Sequence, residues 1–342
     1  MLDRLVSDGI RRHGRFPDRP VDADPLDEVG RLWRPLRRLR LKEWIGFLVT
    51  HPDLWASMIV QDAKYLATSD VITFRPTAGT TRHQVVARSR DAELPTRLFG
   101  GHAGMTRPGY EVSYRFDEPD GLHRIHIDAA ATSDQPAVDA DLALDGASAP
   151  PPLSVSAPLP GFQSPIGGEP GSSMYTFKRI YPLSGTMRIG DDTFTFDPDR
   201  DVAIIDEHRS SLPYRTRWVW GTFAAHVDGS IIGANFAHRP KVPGSEEESC
   251  LWGPTAAEAL VDVDFEHDPS APLGPWRIRS RDRRLDVTFE PLNREEVRQQ
   301  LGVFAVDYFM MQGTYSGTMA VDGDVFTIDA AHGVCERMHA RL

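Results

Sequence analysis

The chain has 342 residues, with 38 lysines and arginines against 49 aspartates and glutamates, a net charge of −11, and cysteines only at positions 250 and 335. That length buries a sizeable core in one large or two medium domains. The acidic balance excludes a general nucleic-acid binder, the two isolated cysteines exclude a zinc framework, and no run approaches the ~20 apolar residues of a membrane helix.

In chain order, residues 1–25 are polar, Arg-rich and broken by proline, so they are expected to wrap the surface or fray. Met1 to Arg19 carries no apolar leader, which predicts a cytoplasmic soluble protein; Cys250 and Cys335 are then expected as reduced, buried thiols, the alternative being a disulfide between them. A short helix is expected from about Leu26 to Leu39, interrupted near Pro35. Its basic run, Arg31, Arg34, Arg37, Arg38, Arg40 and Lys42, reads as a solvated face; the alternative is a contact with an anionic membrane or partner. Residues 1–42 form an N-terminal segment on this reading.

From Glu43 the period becomes two. Trp44, Gly46 and Leu48 oppose Ile45, Phe47 and Val49, and both sets are apolar, as in a strand buried on both faces or lining a cavity. Strands follow near Met58–Gln61, Val71–Arg75, Gln84–Arg88, Tyr110–Phe116 and Arg124–Asp128. His123 and His126 then lie on opposite faces, poor spacing for one metal. Residues 129–172, rich in Ala, Pro, Ser, Gly and Asp and including Gly167-Gly168, read as a linker or a long excursion, to which Leu153–Val155 could add an edge strand. A first β domain is expected over 43–172 and a second over 173–342.

The second half shows strands at Thr186–Ile189, Thr193–Phe196, Val202–Ile205, Thr216–His226, Ser230–Ala237, Leu260–Phe265, Trp276–Ser280 and Leu285–Glu290. A helix is expected at Arg294–Leu301, and strands resume at Val303–Phe309, Tyr315–Val321 and Val325–Asp329. One hairpin occurs twice without a gap. Ser184-Gly185-Thr186-Met187 leads to Phe194-Thr195-Phe196-Asp197, and Ser316-Gly317-Thr318-Met319 leads to Phe326-Thr327-Ile328-Asp329. No turn demands the shared Thr and Met, so the repeat predicts a duplicated β domain. Short meandering strands with tight turns point to closed or nearly closed antiparallel barrels.

The densest chemistry is Asp206-Glu207-His208-Arg209 at the end of an apolar strand, followed by Tyr214, Trp218 and Trp220. An Asp among Trp faces is a candidate proton donor, and Trp faces steady a cation. The structural alternative pairs Asp206 or Glu207 with Arg209 or Arg217. Asn235 and His238 follow on the next strand, His238 sharing the face of Ile232, Ala234 and Phe236 and so expected to be buried. Glu336-Arg337 follows the second hairpin as Asp206 follows the first. There is no Gly-x-Ser-x-Gly elbow, P-loop or dinucleotide fingerprint, so no cofactor is expected.

Arg40-Leu41-Lys42-Glu43-Trp44, the Asp206 to Trp220 stretch, Ile232-Gly233-Ala234-Asn235, Trp276 to Pro291, and Gly313, Gly317 and Glu336 together resemble a bacterial family of domains of unknown function, number 2804. That family is distantly similar to the double-lipocalin-like group of carotenoid hydratases, kievitone hydratase, tocopherol cyclase and fungal Diels–Alder cyclases. The resemblance implies an all-β fold of two lipocalin-like barrels in tandem, with an apolar pocket in or between them. The hydratases' Asp-His-Glu-Trp motif matches Asp206-Glu207-His208-Arg209 at the Asp alone, so carotenoid hydration itself is not implied. The expected function is a cofactor-independent hydratase, isomerase or cyclase acting on an isoprenoid- or polyketide-like molecule. Asp206, His208 and Glu207 are its candidate catalytic groups, and Arg209, Tyr214, Trp218, Trp220, Asn235 and His238 its candidate substrate contacts. The alternative is a non-catalytic carrier of an apolar ligand. No integral membrane association is expected, and the sequence carries no signal for oligomeric state.

Overall fold

The fold was analysed in a computed structural model that describes residues 2–161 and 171–341, the side chain of Leu301 aside. The chain forms two compact units. The first comprises Met1–Arg12, Phe16–Ser154 and Tyr175–Ser211; the second comprises His13–Arg15, Val155–Met174 and Leu212–Leu342. The division expected at 172/173 therefore differs from the observed one, because Tyr175–Ser211 completes the first sheet. Its last strand, Val202–Ser211, pairs with Leu41–His51 and lies between it and Ser173–Ile189 in the sheet order.

Each unit is built on a curled antiparallel sheet with the same strand order. In the first, Gly79–Ala87, Ala67–Arg75, Leu54–Asp62 and Leu41–His51 lie in sequence beside Val202–Ser211, then Ser173–Ile189, Val138–Asp145, Leu122–Ala129, Tyr110–Arg115 and His102–Arg107. In the second, Ala257–Ala259, Cys250–Trp252, Ser230–His238 and Arg215–Val227 lie beside Asp324–Arg341, then Phe304–Val321, Leu285–Leu301, Trp276–Ser280 and Val263–Glu266. In both, the opening strand of the meander pairs with its closing strand. The repeated hairpins hold the same register: Gly185 faces Phe196 and Gly317 faces Ile328. Both glycines have left-handed backbone, φ 115° and 145°. Each presses on the preceding strand, where a Cβ would lie 2.2 Å from the Asp141 carbonyl oxygen or 2.3 Å from that of Asp286. A shared glycine with a shared clash is a second, geometric signature of duplication.

The cores are the inner faces of these sheets. In the first unit Ile45, Phe47, Val49, Ile125, Ile127, Leu142 and Ile205 are buried together; in the second, Phe223, Phe236, Trp276, Phe289, Phe309 and Tyr315. Leu41–His51 is buried along almost its whole length on both faces, as its pattern predicts. Cys250 and Cys335 are both buried thiols.

Four expectations need correction. The described part of the N-terminal segment, residues 2–25, does not fray: Leu5, Val6 and Ala23 enter the first core and Arg19 is buried. The 26–39 helix is two pieces, a 3-10 turn at Pro25–Glu28 and a helix at Arg34–Arg40, which Pro35 begins rather than interrupts because an early helical position needs no N–H. The linker 129–172 contains the strands Val138–Asp145 and Leu153–Pro158, the first alternating Val138, Ala140, Leu142 and Leu144 inward. Gly167-Gly168 lies outside the described residues. The helix expected at Arg294–Leu301 is strand, continuing Leu285–Leu301 past a bulge between Pro291 and Asn293 and pairing Val297 with Tyr308. Long-range pairing there overrides local helix preference.

Candidate functional site

The strand Val202–Ser211 alternates its faces, and the chemistry alternates with them. Asp206 and His208 project to the outer face of the first unit's sheet, opposite Gly46 and Trp44 of Leu41–His51. Asp206 Oδ2 accepts from the Trp44 indole N–H at 3.1 Å, and Oδ1 accepts from Lys178 Nζ at 2.5 Å. His208 Nε2 lies 3.6 Å from the same Oδ1, and its ring stacks on Trp44 with centroids 4.4 Å apart. Ser210 Oγ sits 3.5 Å from His208 Nδ1. Lys178 is buried while Asp206 stays partly open. The result is a carboxylate held by two donors, with an imidazole in reach and an aromatic face beside it.

Glu207 and Arg209 point the other way, into the first unit, and belong to a different structure. Arg19 grips Glu207 bidentately, Nε to Oε2 and Nη2 to Oε1, each at 2.7 Å. Arg209 Nε donates to Glu207 Oε1 at 3.0 Å and Arg209 Nη1 to Glu43 Oε1. Lys64 Nζ bridges Glu43 Oε2 and, at 2.7 Å, Asp62 Oδ2. Three carboxylates and three cations alternate, so the buried charge cancels. Burial pushes the Glu207 carboxyl up, but Arg19 and Arg209 outweigh it and hold the group below its ordinary value. A carboxylate so engaged has no proton to give. The geometry fits Glu207 and Arg209 to the framework rather than to the catalytic and substrate-contact roles expected of them. Arg209 pairs with Glu207 and Glu43, not with Asp206.

The remaining expected residues lie in the second unit. Trp220 Nε1 donates to Asn235 Oδ1 at 2.8 Å, and Asn235 Nδ2 donates to the Glu248 carbonyl at 2.7 Å. Asn235 is fully buried and spends its amide on these framework bonds. The Tyr214 hydroxyl donates to the Val303 carbonyl at 2.5 Å. His238 is exposed, not buried as its face predicts, because it is the last residue of its strand and lies beyond the rim of the core. It joins Trp218, Arg217, Val219, Arg239 and His339 around a cavity of about 390 Å³.

Duplication carries one feature of the first site into the second unit. Glu336 Oε1 accepts from the Trp218 indole at 2.7 Å, and Oε2 accepts from the Tyr308 hydroxyl at 2.6 Å. Asp206 pairs with Gly46 and Glu336 with Trp220, so in each unit the indole lies two residues before the carboxylate's cross-strand partner. The sequence reading missed Trp44, Lys178 and Tyr308 as members of these clusters. Lys178-Arg179, two charges inside the apolar run from Met174 to Leu183, is the signal that marked Lys178. Among the described residues no group of three or more His, Cys, Asp or Glu side chains is placed to hold a metal, and no helix is long and apolar enough to cross a membrane.

Two curled antiparallel sheets of matching topology define a tandem lipocalin-like, all-β protein. The chain belongs to the family described as domain of unknown function DUF2804, whose model matches residues 19–342. No curated protein matches it. Among solved structures it is similar to kievitone hydratase from Nectria haematococca, with TM-score 0.52 and 10% identity over 87% of this chain and 88% of that one. It is also similar to CghA with Sch210972, with TM-score 0.53 and 9% identity over 88% of each chain, and to CghA alone, with TM-score 0.51 and 10% identity over 88% of each. At such identities the likeness is one of fold.

Proposed function

We propose that this protein is a cofactor-independent enzyme that adds water to, isomerises or cyclises a hydrophobic small molecule of isoprenoid or polyketide type. The observation that carries the reading is the Lys178–Asp206–His208 array against Trp44. Asp206 and His208 share a proton path, one group giving or taking the proton at the reacting carbon and the other compensating. The Trp44 face steadies positive charge that develops on the way. Lys178 positions the carboxylate. The fold neighbours include a hydratase by name, which supports this class of chemistry without assigning a substrate.

The experiment is a thermal-shift screen of terpenoids, polyketides and fatty acids, followed by product analysis with wild type, Asp206→Asn and Lys178→Met. Asp206→Asn is expected to stay folded, bind, and lose about 10²–10⁴-fold in turnover. Full turnover by Asp206→Asn on an identified substrate overturns the reading. A ligand that binds unchanged in every variant without conversion favours the second reading, a carrier, in which the buried Arg19–Glu207–Arg209 network serves as framework alone.

A further inference from the structure

The helix Arg34–Arg40 has no buried residue. A surface helix ordinarily turns an apolar stripe inward; this one turns its stripe to solvent. Helical hydrogen bonding begins upstream, with Arg34 N–H on the Gly30 carbonyl and Arg37 N–H on that of Trp33, so Leu32, Leu36 and Leu39 share one face by their spacing. They are 91%, 60% and 52% exposed, and Trp33 beside them is 45% exposed. Lys42 Nζ donates to the Leu39 carbonyl and lies 5.0 Å over the ring of half-exposed Tyr65, which brings a second aromatic near the C-terminal end of the helix. A contiguous group of large apolar side chains left in water marks an interaction surface.

Charge surrounds the stripe. Arg31, Arg34, Arg37, Arg38 and Arg40 occupy the rest of the helix and its entry turn, in a chain whose net charge is −11. Arg34 is tied to Asp24 and Asp27 at 2.8 and 3.0 Å, while Arg31 and Arg38 are exposed. The segment is held rather than loose. The buried Arg11–Glu28 pair fixes the turn before it, and Leu41, buried, opens the strand after it. Leucine and tryptophan on one face with arginines around it is the composition of a helix that lies in a membrane interface, its stripe among acyl chains and its arginines at anionic headgroups.

We infer that Arg31–Arg40 docks this protein reversibly on an anionic lipid surface. The inference goes beyond the proposed reaction and does not depend on it, because vesicle binding is read without turnover. It also gives a hydrophobic substrate a source, since such molecules partition into lipid.

The test is co-sedimentation of the full chain with vesicles of phosphatidylcholine alone and of phosphatidylcholine with about 30% phosphatidylglycerol. Binding to the anionic vesicles is expected to be at least ~10-fold tighter than to neutral ones and to weaken as salt screens the headgroups. Trp33 emission should shift to the blue on binding, and Trp33→Phe should remove that shift. Leu32→Ser/Leu36→Ser, surface changes that leave the core untouched, should abolish binding, and Arg31→Gln/Arg38→Gln should reduce the preference for anionic lipid. No partition to anionic vesicles, or equal binding by the Leu32→Ser/Leu36→Ser variant, overturns the proposal. So does a concentration-dependent dimer in sedimentation velocity that Leu36→Asp abolishes while vesicles bind nothing, for then the patch meets a second copy.

Discussion

Replacing Glu207 by glutamine tests the separation of framework from chemistry. Glu207 and Arg19 are fully buried, and both Glu207 oxygens serve Arg19, one of them also serving Arg209. Glu207→Gln removes the charge but keeps the shape: one acceptor becomes an NH2 group facing a guanidinium donor, and Arg19 is left without a carboxylate, with the remaining amide oxygen and the Pro20, Val21 and Thr96 carbonyls. Breaking one side of a buried pair costs about 3–5 kcal/mol. With a urea m-value of about 3 kcal/mol/M, the unfolding midpoint of the first unit should fall by about 1–1.7 M. The sign of the pH dependence follows from the depressed carboxyl. Its stabilisation is present above its ordinary value of 4.5 and is lost as pH falls through the lower native value. The gap between variant and wild type should therefore be full at pH 7 and close below about pH 4.5. A loss under about 1 kcal/mol at pH 7, or a gap that persists undiminished to pH 3, refutes the network's structural role. Arg19→Met with Glu207→Leu, which removes both charges, should recover most of the loss.

His123 is packed among Phe99, Phe116 and Tyr181, and burial, reinforced by Arg179, pulls its imidazole down from 6.5 to about 4. The unfolded chain binds this proton first, so stability should fall by about 3 kcal/mol between pH 6.5 and 4. His123→Phe should flatten that limb of a urea-stability profile, and an unchanged limb would contradict the assignment. Gly185→Ala and Gly317→Ala each force a Cβ onto a backbone oxygen in left-handed backbone. Each should destabilise its own unit by at least ~2 kcal/mol in urea unfolding, while Gly229→Ala, which meets nothing within 4 Å, should cost clearly less. Comparable tolerance at all three would break the link between the repeated glycine and the repeated close approach to the neighbouring strand.

The parts of the fold legible in the sequence are those whose signal is local. The repeated hairpin, the doubly buried Leu41–His51 strand and the Asp206–Arg209 cluster were all visible as residue patterns. Val138–Asp145 escaped because its inward residues alternate with aspartates and alanines that read as linker. Arg294–Leu301 misled because its charges suit an exposed helix, and only Phe304–Val321 makes it a strand. The partners within the cluster were illegible for the same reason. Glu207's main partner is Arg19, 188 residues away, and Asp206's are Trp44 and Lys178. The alternation of Val202–Ser211 separates Asp206 and His208 from Glu207 and Arg209, and knowing which face met the core required the sheet.

The pairing of Leu41–His51 with Val202–Ser211 has a consequence for synthesis. Thr50 waits for Val202, and Leu41 for Ser211. At roughly 5–20 residues per second, a nascent chain carries that open, apolar edge for about 8–30 s before its partner leaves the ribosome. The hairpins beyond it form from neighbours and need no such delay. The first unit thus has its most aggregation-prone interval early, with most of its meander already folded and one seam still unzipped.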